Sequence, residues 1–294
     1  MTTITTKYII DLLAINKGNT ELIGSAANPQ IKYSSDVDVQ EYITVKGEAD
    51  DELLKMFQEK YKLAMQNENI YITDFKCGSK NSNPIRWTAK TIMQGYQLDD
   101  NNKQILFTNM LNMQSTIKMD IIAFIGNEFV EFSCNYYITH DIDGKLHHSY
   151  PTNTTKEHVI QTLKSDVYEY KKDGNYFKML KRIVSLRNLK GENVDNLISF
   201  FNSDTGHLNH QLNALKTILE VVDNTFRKPN VKDVKRHLKL IKSRLDSQYR
   251  SLFHSALNDR LTISQFVTEV EYIIDRIEPD VNANTLTWLR EQEK

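Results

Sequence analysis

Two hydrophobic periodicities divide the chain near residue 150. Before that point, apolar and polar residues alternate over short runs, which is typical of β-strands that bury one face. One segment, 50–66, instead repeats its apolar residues every three to four positions, as an amphipathic helix does. The alternating runs predict strands over 21–23, 36–45, 69–77, 104–110, 116–125 and 128–139, and a further helix is predicted over 7–16.

Turn residues mark where some of these strands end. Gly126-Asn127 separates two alternating runs and predicts a tight hairpin between them. Residues 141–153 are mostly polar and contain Asp143-Gly144 and the pair His147-His148, so we expect a loop there. The two histidines lack the spacing of metal ligands on a regular element, and a metal site is not expected in this loop.

From about residue 150 onward the pattern is helical throughout. Glycine and proline residues separate apolar repeats of helical period, which predict helices over 156–172, 175–189, 194–202, 207–226, 231–253 and 264–277. We therefore expect an α+β protein with two domains. The first, 1–152, is a mixed sheet with flanking helices, and the second, 153–294, is entirely helical.

Charge is unevenly distributed along the chain. The 294 residues carry 37 Lys and Arg against 38 Asp and Glu, a net charge of −1. Residues 1–155 have a net charge of −5, residues 156–260 of +8 and residues 261–294 of −4. The balance argues against a uniformly basic nucleic-acid coat, while the basic central segment indicates an anionic partner.

Other features of the whole sequence indicate where in the cell the protein is located. No run of 18 apolar residues occurs, so neither a membrane span nor a membrane partner is expected. The N-terminus lacks the basic and apolar regions of a secretion signal. Cys77 and Cys134 belong to no Cys/His cluster, which argues against a zinc site and a disulfide framework. Together these features predict a cytoplasmic protein.

The most informative motif combines Gly24-Ser25 with Asp36 and Asp38. Gly24 follows a short predicted strand, where a glycine lets backbone N–H groups approach a phosphate and a serine adds a hydroxyl donor. Asp36 and Asp38 lie two residues apart on one predicted strand, so their side chains share a face. Adjacent carboxylates repel each other unless a cation neutralises them. An all-oxygen site of this kind suits Mg²⁺ or Mn²⁺.

A third carboxylate would complete a site for two cations. Asp120 is the main candidate, because it is an acidic residue within an otherwise apolar strand and needs a partner there. Asp74 is a weaker candidate, and Glu131 is a further one. The alternative interpretation is that Asp36 sits in a turn and Asp38 faces solvent.

In their order and spacing, Gly24-Ser25, Asp36, Asp38 and Asp120 resemble the signature of the polymerase-beta-like nucleotidyltransferase superfamily. Four further segments resemble the poly(A) polymerases of the nucleo-cytoplasmic large double-stranded DNA viruses, namely 73–78, 85–88, 176–182 and 200–206. This resemblance implies ATP-dependent, template-independent addition of adenylate to RNA 3′ ends with a divalent metal. For a viral protein, it also implies a location in the host cytoplasm or the virion.

Nucleotidyl transfer assigns a role to each motif residue. An RNA 3′-hydroxyl attacks the α-phosphate and pyrophosphate leaves, with two Mg²⁺ or Mn²⁺ ions about 3.5–4 Å apart holding the attacking and leaving oxygens. Asp36 and Asp38 are expected to bind both ions, and Asp120 the ion beside the 3′-hydroxyl. The groups expected to bind the β- and γ-phosphates are Gly24, Ser25, Ser35, Lys178 and Lys181. The two lysines share one face of a predicted helix, for which a solvated surface is the alternative.

Residues 227–250 form the densest basic segment, with nine Lys and Arg against two Asp. An apolar stripe predicts that one face of this helix is buried and that the basic residues lie off it. Lys235, Lys239 and Lys242 are therefore expected on a cationic outer face that binds the RNA backbone. A solubilising face and an acidic protein partner are the alternatives.

The sequence also offers candidates for base stacking and indicates the expected substrates and partners. Trp87 and the pair Tyr136-Tyr137 are candidates for stacking a base, although such residues more often belong to a core. ATP and an RNA 3′ end are the expected substrates, and a second copy of the chain or a processivity subunit is a candidate partner. The alternatives to poly(A) addition are CCA or uridylyl addition, modification of a small molecule or protein, and a non-catalytic scaffold of the same fold.

Overall fold

The computed structural model describes residues 20–28, 30–33, 36–48, 50–67, 69–79, 101, 115–125, 128–223 and 231–292. They form two compact units. The sheet unit contains the described residues of Met1–Ala27, Asp36–Thr152 and Asp223–Pro229, and the helical unit contains those of Asn28–Ser35, Asn153–Val222 and Asn230–Lys294. The elements predicted over 7–16 and 104–110, as well as Trp87 and Ser35, lie outside the described residues.

A mixed sheet of six strands forms the first unit. Its strands are β1 Thr20–Ile23, β2 Asp36–Lys46, β3 Ile70–Ser79, β4 Ser115–Ile125, β5 Glu128–Ile142 and β6 Lys145–His148. The order across the sheet is β1-β2-β5-β4-β3, with β6 paired to the far end of β5. Strands β2 and β5 run parallel, and the other pairs are antiparallel. Helix α1, Asp50–Met65, connects β2 to β3.

The hairpin between β4 and β5 is confirmed, because Ile125 pairs with Glu128 in an antiparallel register. The loop expected over 141–153 is wrong in its first part. Strand β5 continues to Ile142, and β6 returns along it after a two-residue turn. Both turn residues have positive φ, 50° at Asp143 and 80° at Gly144, which is the backbone that closes a two-residue hairpin. The sequence analysis missed this hairpin, although the Asp-Gly dipeptide is a signal from which it could have been predicted.

The core of the sheet unit lies between one face of the sheet and α1. Alternate residues of the central strands point to this face and are almost fully buried, among them Val39, Met119 and Phe132. Helix α1 contributes Phe57, whose ring meets that of Tyr136 edge-on at 4.8 Å between centroids. We call this the core face of the sheet, and its opposite the polar face.

A buried ion pair interrupts this apolar core. Glu41 alternates onto the core face of β2, where Lys60 of α1 lies 3.4 Å away, and both side chains are about 95% buried. Burying either charge alone would be costly, so each residue compensates the other. The nearby Cys134 thiol is free, and burial, followed by the charge of Glu41, raises its pKa to about 12. The thiol is therefore protonated at neutral pH.

The helical unit contains eight helices in its described part. They are α2 Lys156–Lys172, α3 Tyr176–Lys190, α4 Asp195–Phe201, α5 Asp204–Asp223, α6 Val231–Arg244, α7 Ser247–Arg250, α8 Phe253–Ala256 and α9 Ile263–Gln292. Aromatic residues of three helices meet in its core. Phe200 lies 4.7 Å from Trp288, and Phe177 lies 5.1 Å from Phe201, between ring centroids. The α+β fold predicted from the sequence is confirmed.

Two helix predictions are wrong at their ends. The helix predicted over 231–253 stops at Arg244, and two short helices, α7 and α8, follow after Leu245. The last helix, predicted to end at 277, instead continues through Pro279 to Gln292, because Val281 and Thr285 extend its buried stripe. In the described part of the chain, no helix is both long and apolar enough to cross a membrane.

Candidate functional site

The strand register places Asp38 and Asp120 in one row across the polar face. Asp38 of β2 pairs with Ser133 of β5, and Ser133 pairs with Asp120 of β4. Paired residues point to the same side of a sheet, so the three side chains share the polar face. The two aspartates are separated by two strand spacings, about 10 Å between backbones. The sheet therefore brings these two predicted residues to one surface.

The neighbouring row contains two further acidic residues. Asp36 pairs directly with Glu131 of the adjacent strand β5. Asp36 begins β2, two residues before Asp38, and its side chain is outside the described part of the structure. Glu131 is one strand spacing from Asp36, whereas Asp120 is two strands from the Asp36–Asp38 pair. Both acids remain candidates for the third carboxylate, and the weaker candidate Asp74 pairs with Asp120 from β3.

Asp120 has two close polar partners. The Ser133 hydroxyl donates a short hydrogen bond to Asp120 Oδ1, and Lys118 Nζ lies 2.9 Å from the same oxygen. About 20% of the Asp120 side chain is exposed. These contacts compensate the charge of an acidic residue within an otherwise apolar strand. Sequence reasoning missed Lys118 and Ser133, although Lys118 is two residues from Asp120 on the same strand and alternates to the same face.

Gly24 lies directly against Asp38. It begins a short 3₁₀ turn, Gly24–Ala27, after β1, and its φ of +71° is one that glycine adopts without strain. A Cβ atom at this position would be 2.7 Å from Asp38 Oδ2, closer than real Cβ contacts. The backbone conformation therefore favours glycine, and the lack of a Cβ atom lets the Asp38 carboxylate lie against this turn. The side chains of Ser25 and Asp36 are not described, so the role of Ser25 remains a prediction.

The spacer between the Gly24 turn and Asp36, Asn28–Ser35, belongs to the helical unit. The side chain of Asn202 accepts a hydrogen bond from the Lys32 backbone N–H at 2.8 Å and donates one to the Gln30 carbonyl at 2.7 Å. The ring of Tyr33 lies 4.9 Å from that of His207, between centroids. One amide side chain thus satisfies two backbone groups of the spacer, 170 and more residues away in sequence.

The corner that presents Asn202 is tightly built. Asn202 follows the last residue of α4, and Ser203 Oγ donates a 2.6 Å hydrogen bond to the Phe200 carbonyl. A Cβ atom on Gly206 would lie 1.9 Å from the Phe201 carbonyl oxygen, so only glycine fits there. The residues of segment 200–206 therefore build a helix corner that holds the spacer.

Lys178 and Lys181 both lie on α3 of the helical unit. Lys178 is exposed and Lys181 is partly exposed. Their neighbour Arg182 forms a 3.2 Å ion pair with Asp166 of α2, so its charge is partly compensated. The assignment of the two lysines to phosphate binding remains a prediction.

The expected position of Lys235 is wrong. Only 7% of this residue is exposed, and its ammonium group donates a 2.5 Å hydrogen bond to the Asn258 carbonyl and lies 3.6 Å from Asp259 Oδ1. The side chain thus joins α6 to the turn that precedes α9. Lys239 is exposed and Lys242 is partly exposed, as expected for an outer face, and their binding of RNA remains a prediction.

The tyrosine pair considered for base stacking is divided between the two faces of the sheet. Tyr136 is 1% exposed and packs in the core, whereas Tyr137 points to the polar face and is only partly buried. Adjacent residues of a strand point in opposite directions, so the pair could not act together.

The polar face fits a divalent cation in its chemistry. Asp38, Glu131 and Asp120 supply only oxygen ligands, which Mg²⁺ and Mn²⁺ prefer, and the missing Cβ of Gly24 leaves room beside Asp38. Among the described side chains, no three His, Cys, Asp or Glu form a metal-binding cluster. Asp36, whose side chain is not described, is the residue that would join Asp38 as a ligand.

Comparison with known proteins adds a short match in sequence. No family model matches the chain. Over 54 residues it is 37% identical to uncharacterized protein V21 of Sputnik virophage. That match covers 18% of this chain and 12% of V21, so the chain spans only a small part of the length of this relative.

Solved structures are similar over nearly the whole chain. One is a new nucleotidyl transferase encoded by a Megaviridae ORFan gene, with a TM-score of 0.68 and 11% identity over 97% of this chain and 90% of that one. Another is the M. chilensis Mg662 protein complexed with GTP, with a TM-score of 0.67 and 13% identity over 99% of this chain and 94% of that one. At these identities the similarity is one of fold. The chain therefore has the fold of a Megaviridae nucleotidyl transferase.

Proposed function

We propose that this chain is a metal-dependent nucleotidyltransferase that adds AMP from ATP to RNA 3′ ends, without a template. The observation that carries the proposal is the contact of Gly24 with Asp38, on the face that also bears Asp120 and Glu131. A glycine turn that closes on a strand carboxylate brings backbone N–H groups and acidic ligands within reach of one triphosphate.

The proposed reaction replaces the α–β phosphoanhydride bond of ATP with a phosphodiester bond to RNA. The RNA 3′-oxygen forms a bond to the α-phosphorus, the bond from that phosphorus to the β-bridging oxygen breaks, and pyrophosphate leaves with its electron pair. The proton of the 3′-hydroxyl passes to solvent. Asp36 and Asp38 would hold two divalent cations, with Asp120 or Glu131 as the third acid, and bound cations would neutralise charge on the attacking and leaving oxygens.

Two groups of protein residues would position the triphosphate. The backbone of Gly24 and Ser25 would donate to the β- and γ-phosphates, because this turn lies against Asp38. Lys178 and Lys181 would supply positive charge from the helical unit. Lys118 would stay paired with Asp120 and keep that carboxylate oriented across the sheet.

An extension assay tests the proposal. The purified chain is incubated with Mg²⁺ or Mn²⁺, a 5′-labelled single-stranded RNA and each nucleoside triphosphate in turn. We expect a ladder of longer products with ATP. GTP is the most informative other nucleotide, because the similar M. chilensis protein was solved with GTP. Extension with GTP but not ATP would contradict the poly(A) assignment and leave nucleotidyl transfer intact.

Variants of the candidate site, each compared with a control variant, test whether extension depends on that site. Asp38→Asn should abolish extension, whereas Asp173→Asn, which changes an exposed aspartate after α2, should not alter it. Asp120→Asn and Glu131→Gln decide between the two candidates for the third acid, since only the ligand should be required for turnover. Equal extension by wild type and Asp38→Asn would contradict carboxylate-dependent chemistry at this face.

A small-molecule or protein acceptor is the second candidate function. RNA is favoured over this second candidate by the exposed cations of α6, such as Lys239. These cations attract the phosphates of a polyanionic acceptor over a Debye length. Transfer of AMP to a protein or a small molecule, with RNA left unchanged in the same assay, would select the second candidate.

A further inference from the structure

Three tyrosines form a cluster on the polar face beyond the carboxylates. Tyr42 of β2 is paired in register with Tyr137 of β5, and Tyr150 lies just after β6. Their ring centroids are 5.2 Å apart for Tyr42 and Tyr137, 5.0 Å for Tyr137 and Tyr150, and 5.6 Å for Tyr42 and Tyr150. All three are only partly buried. We call this group the tyrosine cluster.

The cluster lies a short, defined distance from the acidic rows. Tyr42 is four residues after Asp38 on β2, and Tyr137 is four residues after Ser133 on β5, so all four side chains point to the same face. Four residues of strand span about 13 Å. One row, Gln40 with Asn135, lies between the carboxylates and the rings.

Hydrogen bonds hold the rings in place. Gln40 Nε2 donates to the Tyr137 hydroxyl at 3.1 Å, and the Tyr42 hydroxyl donates to Gln40 Oε1 at 3.2 Å. Burial raises the pKa of both phenols, and the charge of Glu21 raises that of Tyr42 further. The hydroxyls are therefore neutral donors at physiological pH, and the rings are oriented before any ligand arrives.

We propose that the tyrosine cluster binds a nucleobase of the nucleotidyl-transfer reaction, with Gln40 or Asn135 beside the base edge. The inference rests on the proposed function, since it places the base on the same face as the proposed phosphate site. Flat aromatic side chains with adjacent amide groups match a base, which stacks on its faces and forms hydrogen bonds at its edge. No described lysine or arginine is among the side chains in ring contact or hydrogen bond with the cluster, so its chemistry differs from that of a phosphate site.

The base could come from either of two substrates, and binding measurements with separate probes distinguish them. One is the incoming triphosphate, and the other is the 3′-terminal nucleotide of the acceptor. Equilibrium binding is measured in Mg²⁺ for three probes: each nucleoside triphosphate, a single-stranded RNA ending in a 3′-deoxynucleotide, and inorganic tripolyphosphate. The last probe has the phosphates without a base. No turnover is required, so the measurement is independent of whether transfer occurs.

Leucine variants remove stacking at the cluster. Tyr137→Leu and Tyr42→Leu should each weaken binding of one base-containing probe by about 5- to 150-fold, the range measured when an aromatic side chain that stacks on a base is removed. Tripolyphosphate binding should be unchanged. Tyr137→Phe keeps the ring and should bind like wild type, apart from the hydrogen bond to Gln40. Tyr168→Leu, at a tyrosine of α2 that is 66% exposed, is the matched control.

The outcomes are distinct. A loss confined to triphosphates assigns the cluster to the incoming base, and a loss confined to RNA assigns it to the acceptor. Wild-type binding of both base-containing probes by both leucine variants overturns the inference, and so does a parallel loss of tripolyphosphate binding. Should the leucine variants not fold, photocrosslinking of 8-azido-ATP and of an 8-azidoadenine-terminated RNA to the wild-type chain decides. Crosslinks at Tyr42, Tyr137 or Tyr150 support the inference, and crosslinks only elsewhere overturn it.

Discussion

The sheet and helix α6 both carry many charged residues, but they distribute them differently. On the sheet, the described side chains of Asp38, Lys118, Asp120 and Glu131 lie on the polar face, whereas Glu41 lies on the core face and is paired with Lys60. On α6, Lys235 and His237 are buried alongside the apolar stripe. Strand side chains point to one of two sides, whereas helix side chains point in steps of 100°. A residue at the edge of a helical stripe can therefore be buried or exposed, depending on what packs against it.

The largest expected effect lies on the polar face. Asp38→Asn should lower the rate of nucleotidyl transfer by about 10³-fold or more, because a carboxylate that would hold the divalent cations at the reacting phosphates is lost. Stability should stay the same or rise slightly, since carboxylate repulsion is relieved. Steady-state kinetics and thermal unfolding measure the two quantities. A large fall in melting temperature would mean that Asp38 is structural.

Breaking the buried pair on the core face should have the next largest effect. Lys60→Met leaves Glu41 charged without its ion-pair partner and should destabilise the protein by about 3–5 kcal/mol. The double variant Lys60→Met/Glu41→Leu should recover much of that loss. Chemical denaturation of the four proteins gives the coupling free energy. Additive losses in the two single variants would contradict a coupled pair.

His237 should make the stability of the helical unit depend on pH. Burial, assisted by Arg236, lowers the pKa of this histidine to about 4 in the folded state, from 6.5 in the unfolded chain. The unfolded state therefore binds more protons between these values, so stability is complete above pH 6.5 and is lost as the pH falls towards 4. The expected loss is about 2–3 kcal/mol. Unfolding of His237→Phe should show a smaller pH dependence, and an unchanged profile would contradict the assignment.

The smallest effect concerns the two kinds of lysine on α6. Lys235→Met should lower stability by about 1–3 kcal/mol, because the Asn258 carbonyl loses its donor, and should leave RNA affinity unchanged. The double variant Lys239→Glu/Lys242→Glu should instead weaken RNA binding and leave stability unchanged. The log–log salt slope of RNA binding should become shallower by about 0.7 for each phosphate that is no longer neutralised. Salt titrations of RNA binding test both. Wild-type binding by the double variant would show that α6 is only a solvated surface.

The sheet was predictable because its signals are local. Alternation located β2, β4 and β5, and the spacing of Asp36 and Asp38 put both on one face. The register between strands is a long-range property, so the row Asp38–Ser133–Asp120 could not be read from the sequence. The hydrogen bond from Ser133 to Asp120 could not be predicted either, since nothing near Ser133 in sequence indicates an acidic neighbour.

The helical region was predictable in type but less so in extent. Apolar repeats located its helices, but the break after Arg244 and the continuation through Pro279 depend on burial against other helices. Lys235 shows the same limit for a single residue. It lies about 100° around the axis from the buried Val234, and its burial is decided by the Asn258–Asp259 turn, 23 residues away in sequence.

The spacer held by Asn202 has a consequence for how this chain can be divided. A gene fragment that starts at residue 153 would encode helices α2 to α9 but not Gln30 and Lys32, the backbone partners of Asn202. A fragment that ends at residue 152 would carry the spacer without the corner that binds it. Recombination that replaces the helical unit with that of another protein would therefore need a matching exchange of residues 28–35. The two units are expected to have been inherited together rather than assembled from separate modules.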